Sequence, residues 1–287
     1  MNNYETIVVE QFTSAGVIYD SVIMVRLHRP QVHNAINQQM ILELNDLLDY
    51  LSAGEGSPPS VNCLPRILLL TGNQKSPTFC AGADLKEMQN SGVQNQQHDA
   101  LQHDAIQNDA LKNAHNLAEL YSKIFNFPRP VIVLANGNAF GGGVGLLAVA
   151  DYVLAQQDCK FAFPEVRKGL IPAVISPYLW NKCAGNNYSL LKYHILSGTS
   201  FGTQLAKELG LVQDIFVDED MAVAKIVKIV EDLLPAQDYA QADAKRWCNR
   251  FLEGAVRAVP TQQECAKKLA AMVLDSKTQK LLNGYDR

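Results

Sequence analysis

The sequence predicts an α/β core followed by a helical C-terminal region, and three observations carry that reading. "RILLLTG" (Arg66–Gly72) and "PVIVLANG" (Pro130–Gly137) are continuous apolar runs, the pattern of strands covered on both faces. Stretches with helical spacing lie between and around them, so strands and helices alternate over the first two-thirds. From Ser200 onward strands almost vanish and the apolar patterns are helical. This order predicts a core at 1–198 and a helical region at 199–287, with a boundary near Gly198.

Along the chain, "SVIMVRL" (Ser21–Leu27) reads as a strand and "HRPQVHNAIN" as a turn-rich loop. Ile36, Met40, Leu44, Leu47, Leu48 and Leu51 then recur near helical spacing. After the two apolar strands, "DYVLA" and "KFAF" supply two shorter ones. "NYSLLKYHILSG" is helical through Leu190, Leu191, His194 and Ile195, with Gly198 as its C-cap and Ser200 as the next N-cap. "LAKELGLV", "AVAKIVKIVEDLL", "YAQADAKRWCNRFL" and "ECAKKLAAMVL" complete the helical region. Val223, Ile226, Ile229, Val230, Leu233 and Leu234 are more apolar surface than an isolated appendage exposes, so burial against sister subunits is expected.

The chain of 287 residues is long enough for a sizeable core, and its net charge of -4 gives no nucleic-acid or membrane-surface signature. No apolar run reaches the ~20 residues of a membrane span. "MNNYETIVVEQF" lacks the basic start and apolar core of a signal peptide, so a cytoplasmic location is expected. The six cysteines are scattered without a C-x-x-C pair, which suits free thiols rather than disulfides or zinc. In Gln97–Leu111 a pentapeptide is written three times, "QHDAL QHDAI QNDAL". A five-residue step turns the side chain by ~140°, so the repeat keeps no single helical face. A solvated helix or loop near the pocket mouth is expected there, rather than a metal site at His98, Asp99, His103 and Asp104.

Two motifs lead away from the chemistry. "GTSFG" (Gly198–Gly202) fits the hydrolase nucleophile elbow, but a helix and not a strand precedes it. "AFGGGVG" has no Gly-Lys-Ser/Thr and does not meet the G-x-G-x-x-G frame.

Two loops and one acid remain. "PTFCAGADLKEM" follows the strand "RILLLTG", and "NAFGGGVG" follows "PVIVLANG". Strand-ending loops of glycine and alanine let backbone N–H groups approach one ligand oxygen, and two such donors form an oxyanion hole. Glu165 follows a strand and a proline in apolar surroundings, which should raise its pKa toward the range that suits proton transfer.

These stretches resemble the enoyl-CoA hydratase/isomerase (crotonase) superfamily, from "HRPQVHNAIN" through "SGTSFGTQLAKELGLV" and in the family's order. The resemblance implies a spiral of β-β-α units with a C-terminal helical trimerisation region, assembled as a homotrimer or a dimer of trimers. It implies an acyl-CoA thioester as substrate, with coenzyme A part of that substrate and no separate cofactor or metal. The oxyanion amides fall on Ala83 and Gly142, and the proton-transfer acid on Glu165. Lys86 falls near the CoA nucleotide, with Ala81, Asp84, Gly141, Gly145, Pro172 and Tyr178 around the substrate. The hydratases' other glutamate falls on Gly145.

"AFGGGVGL" and "PEVRKGLIPAVISPY" further resemble bacterial methylglutaconyl-CoA hydratases of leucine breakdown, with Pro164 where that branch has serine. The resemblance thus implies hydration of a 2-enoyl thioester on one carboxylate. Double-bond isomerisation is an alternative, since it needs only one base; a weakly active acyl-CoA-binding paralogue is another. Gly145 is expected to leave room for a branched 3-methyl-2-enoyl chain, with Arg167 or Lys168 meeting a distal carboxylate.

Overall fold

The computed structural model describes residues 4–52, 65–87, 100–183, 187–255 and 261–283. The chain opens with an antiparallel hairpin, β1 (Ile7–Ser14) and β2 (Val17–Leu27), turned by Ala15 and Gly16, both at positive φ. After α1 (Gln38–Ser52), β2 continues into a parallel array with β3 (Ile67–Thr71), β5 (Val131–Ala135), β7 (Tyr152–Gln156) and β10 (Asp214–Phe216). All five residues of β3 are buried, as the unbroken apolar run requires of a strand with both faces covered. One face meets α1 and α2 (Ala100–Phe125), and the other meets α7 (Glu219–Leu233).

The expectation for α7 is not met. Ile226 and Val230 are buried against Val22, Leu69, Ile132 and Leu154 of the sheet, and Val223, Ile229, Leu233 and Leu234 pack on the same cluster. These apolar positions cover the chain's own sheet, which would otherwise expose its second face.

A smaller sheet carries the chemistry. β4 (Thr78–Cys80), β6 (Asn138–Phe140) and β8 (Lys160–Ala162) run parallel, side by side, and β9 (Phe201–Gly202) closes the edge. Their registers are short: Thr78 opposite Asn138, Ala139 opposite Phe161, Phe140 opposite Ala162. Because the three strands are parallel, the loops that leave them emerge together at one end.

"HRPQVHNAIN" clamps the first of these loops. Asn34, buried and at φ 55°, accepts from Arg29 N–H at 3.0 Å and donates from Nδ2 to the carbonyls of Thr78 and Phe79. Arg29 bridges to Asp84 at 2.9 Å, and Ile36 pairs with Ala83 in a single parallel bridge.

The helical reading holds for α3 (Gly142–Val149), α5 (Tyr188–Ser197), α8 (Asp238–Ala255) and α9 (Gln262–Val273), separated by α4 (Ser176–Cys183) and α6 (Thr203–Glu208). Gly198 is the left-handed C-cap of α5, as its place after the helical stretch predicts. Ser200 is not a cap: it is exposed, and Gly202 stands at the N-cap of α6, because Phe201 and Gly202 first pair with β8. In the pentapeptide repeat, residues from Ala100 belong to α2, while His98 and Asp99, and the side chains of His103 and Asp104, lie outside the described residues. The final helices turn back: α9 packs along α2, and α10 (Ser276–Asn283) meets the turn that carries Glu165.

Replacing Asn34 by Ala leaves two buried carbonyls without their donor and puts a Cβ-bearing aliphatic residue at positive φ. The variant should lose about 2–4 kcal/mol of stability in urea denaturation. A loss below about 0.5 kcal/mol would mean that the clamp is supported elsewhere.

Candidate active site

Each active-site loop leaves the end of one strand of the small sheet. After β4, Gly82 at φ +92° turns the chain so tightly that a Cβ there would stand 2.6 Å from Phe140 O and 3.1 Å from Gly142 N. Only glycine permits that approach, and it brings the loop of Ala83 against the loop of Gly142. After β6, Gly141 at φ +50° starts α3 and ties back to β8 by donating to Ala162 O at 2.9 Å.

Ala83 takes part in its bridge through its neighbours, Ile36 N–H to Gly82 O and Asp84 N–H to Ile36 O, so its own N–H faces away. Gly142 is the first residue of α3, and its N–H has no partner in that helix. A Cβ on Gly142 would stand 3.4 Å from Ala83 N. Two amides without a partner among the described residues therefore sit together at a helix N-terminus, where the dipole also favours negative charge.

After β8, the 3₁₀ turn Pro164–Lys168 carries Glu165 and ends at Gly169 in the left-handed conformation. The carboxylate lies against Gly141: a Cβ there would be 2.8 Å from Oε1. Oε2 is buried with no hydrogen-bond partner among the described residues. Burial raises the Glu165 pKa from its ordinary 4.5 to about 7, with a hydrogen bond from its own N–H and the charge of Lys168 opposing. A carboxyl poised near neutrality can take up a proton and give it back.

Ala83, Gly141, Gly142, Glu165 and Pro172 line one apolar cleft, with Lys168 on the wall. The wall is completed by Leu117 and Tyr121 of α2 and by Leu269 of α9, none of them singled out by the sequence. A second cleft begins beyond Ala83, Leu117 and Leu269 and includes Asp84.

Other expected site residues stand elsewhere. Gly145 does not open the cleft, because a Cβ there would overlap Ile175 Cγ2 and approach the Tyr121 ring to 2.9 Å; those side chains fill the place. Tyr178 lies behind the wall, packed on Tyr121 and Phe125 with ring centroids 6.4 and 5.2 Å away. Ala81 is held in the loop by its N–H to His33 O, and Lys86 is exposed outside the cleft. Arg167 points away and donates to Ser197 O, whereas Lys168 lines the cleft. Among the described residues no three His, Cys, Asp or Glu side chains gather as a metal site, and no helix is long and apolar enough to cross a membrane.

A family model described as enoyl-CoA hydratase/isomerase matches residues 17–286. The chain belongs to that family. It is 30% identical over 251 residues to the mitochondrial enoyl-CoA hydratase of Pongo abelii, covering 88% of this chain and 75% of that one. It is 26% identical over 254 residues to the 2,3-dehydroadipyl-CoA hydratase of Escherichia coli, covering 88% of each. The crystal structure of an enoyl-CoA hydratase from Shewanella pealeana superposes with a TM-score of 0.70 at 27% identity, over 99% of this chain and 94% of that one. The α/β, crotonase-type fold read from the sequence is thereby borne out, and with it membership of an enzyme family.

Glu165 should titrate near pH 7, which ¹³C-carboxyl NMR can follow, with the signal absent in Glu165→Gln. Because its folded pKa lies above its unfolded one, its contribution to stability is complete below about 4.5 and is lost as pH rises through about 7. Glu165→Gln should therefore gain stability relative to the parent between pH 5 and pH 8 in urea denaturation. A gap that stays constant with pH would show that the carboxyl is not held in its neutral form.

Proposed function

We propose that this enzyme adds water across the 2,3 double bond of an acyl-CoA thioester. The observation that carries this reading is the juxtaposition of Glu165 with the free amides of Ala83 and Gly142 in one apolar cleft. The thioester oxygen sits between the two N–H groups, which stabilise it as the enolate forms. Water attacks C3 while Glu165 takes one of its protons; the protonated carboxyl then delivers a proton to C2 on the same face. The enolate electrons form the new C2–H bond, and Glu165 ends ionised, as it began. Coenzyme A enters as part of the substrate, with exposed Lys86 beside the Ala83 loop as the contact for its nucleotide. Ala81 and Asp84 shape that loop.

A finer reading, resting on the position of Lys168, is that the acyl chain ends in a carboxylate, as in a 3-methylglutaconyl-type thioester of leucine degradation. Residues three apart on a 3₁₀ turn eclipse one another, so Lys168 lies alongside Glu165. A carboxylate held by that ammonium is only a few bonds from the reacting carbons. The name of the Escherichia coli relative supports an acidic chain of this kind. Gly145 gives no support to the branched substituent, because Tyr121 and Ile175 occupy its surroundings.

A homotrimer or dimer of trimers is part of the proposal. Its support is the exposed aromatic surface of α8, where Tyr239 and Trp247 are 72% and 62% exposed. A monomer in light scattering at micromolar concentration would overturn it. Four described cysteines that are free and buried fit a reducing cytoplasm.

With crotonyl-CoA and 3-methylglutaconyl-CoA in isotopic water, product mass should show uptake of one water. Glu165→Gln should lower kcat/KM by about 10²- to 10⁴-fold. Migration of the double bond in a 3-enoyl-CoA, with no hydration of any thioester, would replace the hydratase by an isomerase; binding without turnover would leave an acyl-CoA-binding paralogue. Lys168→Met should reduce the preference for 3-methylglutaconyl-CoA over crotonyl-CoA by roughly tenfold to a hundredfold. The ratio isolates the acyl contact, since any effect of Lys168 on Glu165 is shared by both substrates.

A further inference from the structure

The fully buried Tyr121 packs against the start of α3, although it lies on a helix that contributes no catalytic group. Its hydroxyl donates to Gly142 O at 2.7 Å. A Cβ on Gly142 would come within 2.8 Å of that hydroxyl, and one on Gly145 within 2.9 Å of the ring carbon that bears it. The ring therefore lies against the first turn of α3, with Tyr178, itself packed on Phe125, on it from another side.

That turn needs an outside support. Its N-cap, Gly141, makes no side-chain cap bond, and the next two residues are also glycine. Three consecutive glycines give a backbone the widest choice of dihedral angles, whereas an oxyanion donor works only when its N–H is already aimed. The carbonyl and N–H of Gly142 are linked through that residue's own two dihedrals, so fixing the one restricts the other.

We propose that Tyr121 is the positioning residue of the oxyanion site, holding the Gly142 amide in aim through the Gly142 carbonyl, and that glycine at position 145 leaves room for its ring beside Ile175. The inference rests on the reading of the cleft as a thioester site. It gives Gly145 a purpose that does not involve the substrate: the absent side chain makes way for an aromatic brace.

The test uses butyryl-CoA labelled with ¹³C at its thioester carbonyl, a saturated ligand that cannot react. Bound to the parent enzyme, its carbonyl stretch should move to lower wavenumber as the two amides polarise it. In Tyr121→Phe the stretch should return towards that of free butyryl-CoA. With crotonyl-CoA, kcat should fall by roughly tenfold to a hundredfold while KM is nearly unchanged, the split expected when a transition-state contact is lost. Gly145→Ala, made together with Ile175→Ala to remove the nearer Cγ2 contact and compared with Ile175→Ala alone, keeps the hydroxyl but presses on the ring, and should reproduce both changes relative to that control; thermal melts of each variant normalise the data to folded enzyme. A full carbonyl shift with kcat within about twofold of the parent, in whichever variant folds, would overturn the role of Tyr121. A parent complex with no carbonyl shift would overturn the oxyanion reading itself, and this inference with it.

Discussion

The parallel pairing of β4, β6 and β8 is the constraint on which the active site depends. Each strand is three residues long, too short to be stable alone, and each delivers one chemical part at the same end: the Ala83 amide, the Gly142 amide and the Glu165 carboxylate. A shift of register by one residue would move a loop by about 3.3 Å, more than the tolerance of a hydrogen bond. The surrounding structure serves to hold that register. Asn34 fastens β4 from one side, and Gly141 N–H fastens β6 to β8 from the other.

The same compactness sets the electrostatics. A largely apolar wall of leucine, isoleucine and proline surrounds Glu165, and burial against it makes ionisation of that acid costly and an amide dipole more effective. The two effects have one origin, so polar substitutions in the wall should weaken acid–base and oxyanion chemistry together. Lys168 is the exception to that wall: burial lowers its pKa and the neighbouring Glu165 opposes the change.

What the sequence revealed and what it concealed divide along physical lines. "RILLLTG" and "PVIVLANG" were legible because strands buried on both faces leave no polar alternation. Ala83, Gly142 and Glu165 were legible because each sits in a short, unusual run of glycine, alanine or proline just after a strand. The first strand was not, since "IVVEQFTS" buries only two of its eight residues and carries polar ones between. The destination of α7 was misread because an apolar helical face looks the same whether it covers a sheet or a neighbouring subunit. Tyr121 gave no signal at all: it lies in a helix that opens on a polar repeat, and its partners are 21 and 24 positions away, at Gly142 and Gly145. Proximity across that distance is a property of packing, and no local pattern encodes it.

The turn bearing Glu165 is finished from far along the chain. Thr278 of α10, buried, donates from Oγ1 to Gly169 O at 3.0 Å, across 109 residues, while Leu269 of α9 supplies part of the cleft wall. During synthesis the strands and the acid are made long before this clasp exists. A nascent chain with its sheet complete still has an open, wet cleft and a catalytic turn without its last support. Contacts of such sequence separation also form late when a chain refolds, so catalytic competence should trail the recovery of secondary structure. The clasp is made only after the parts it holds.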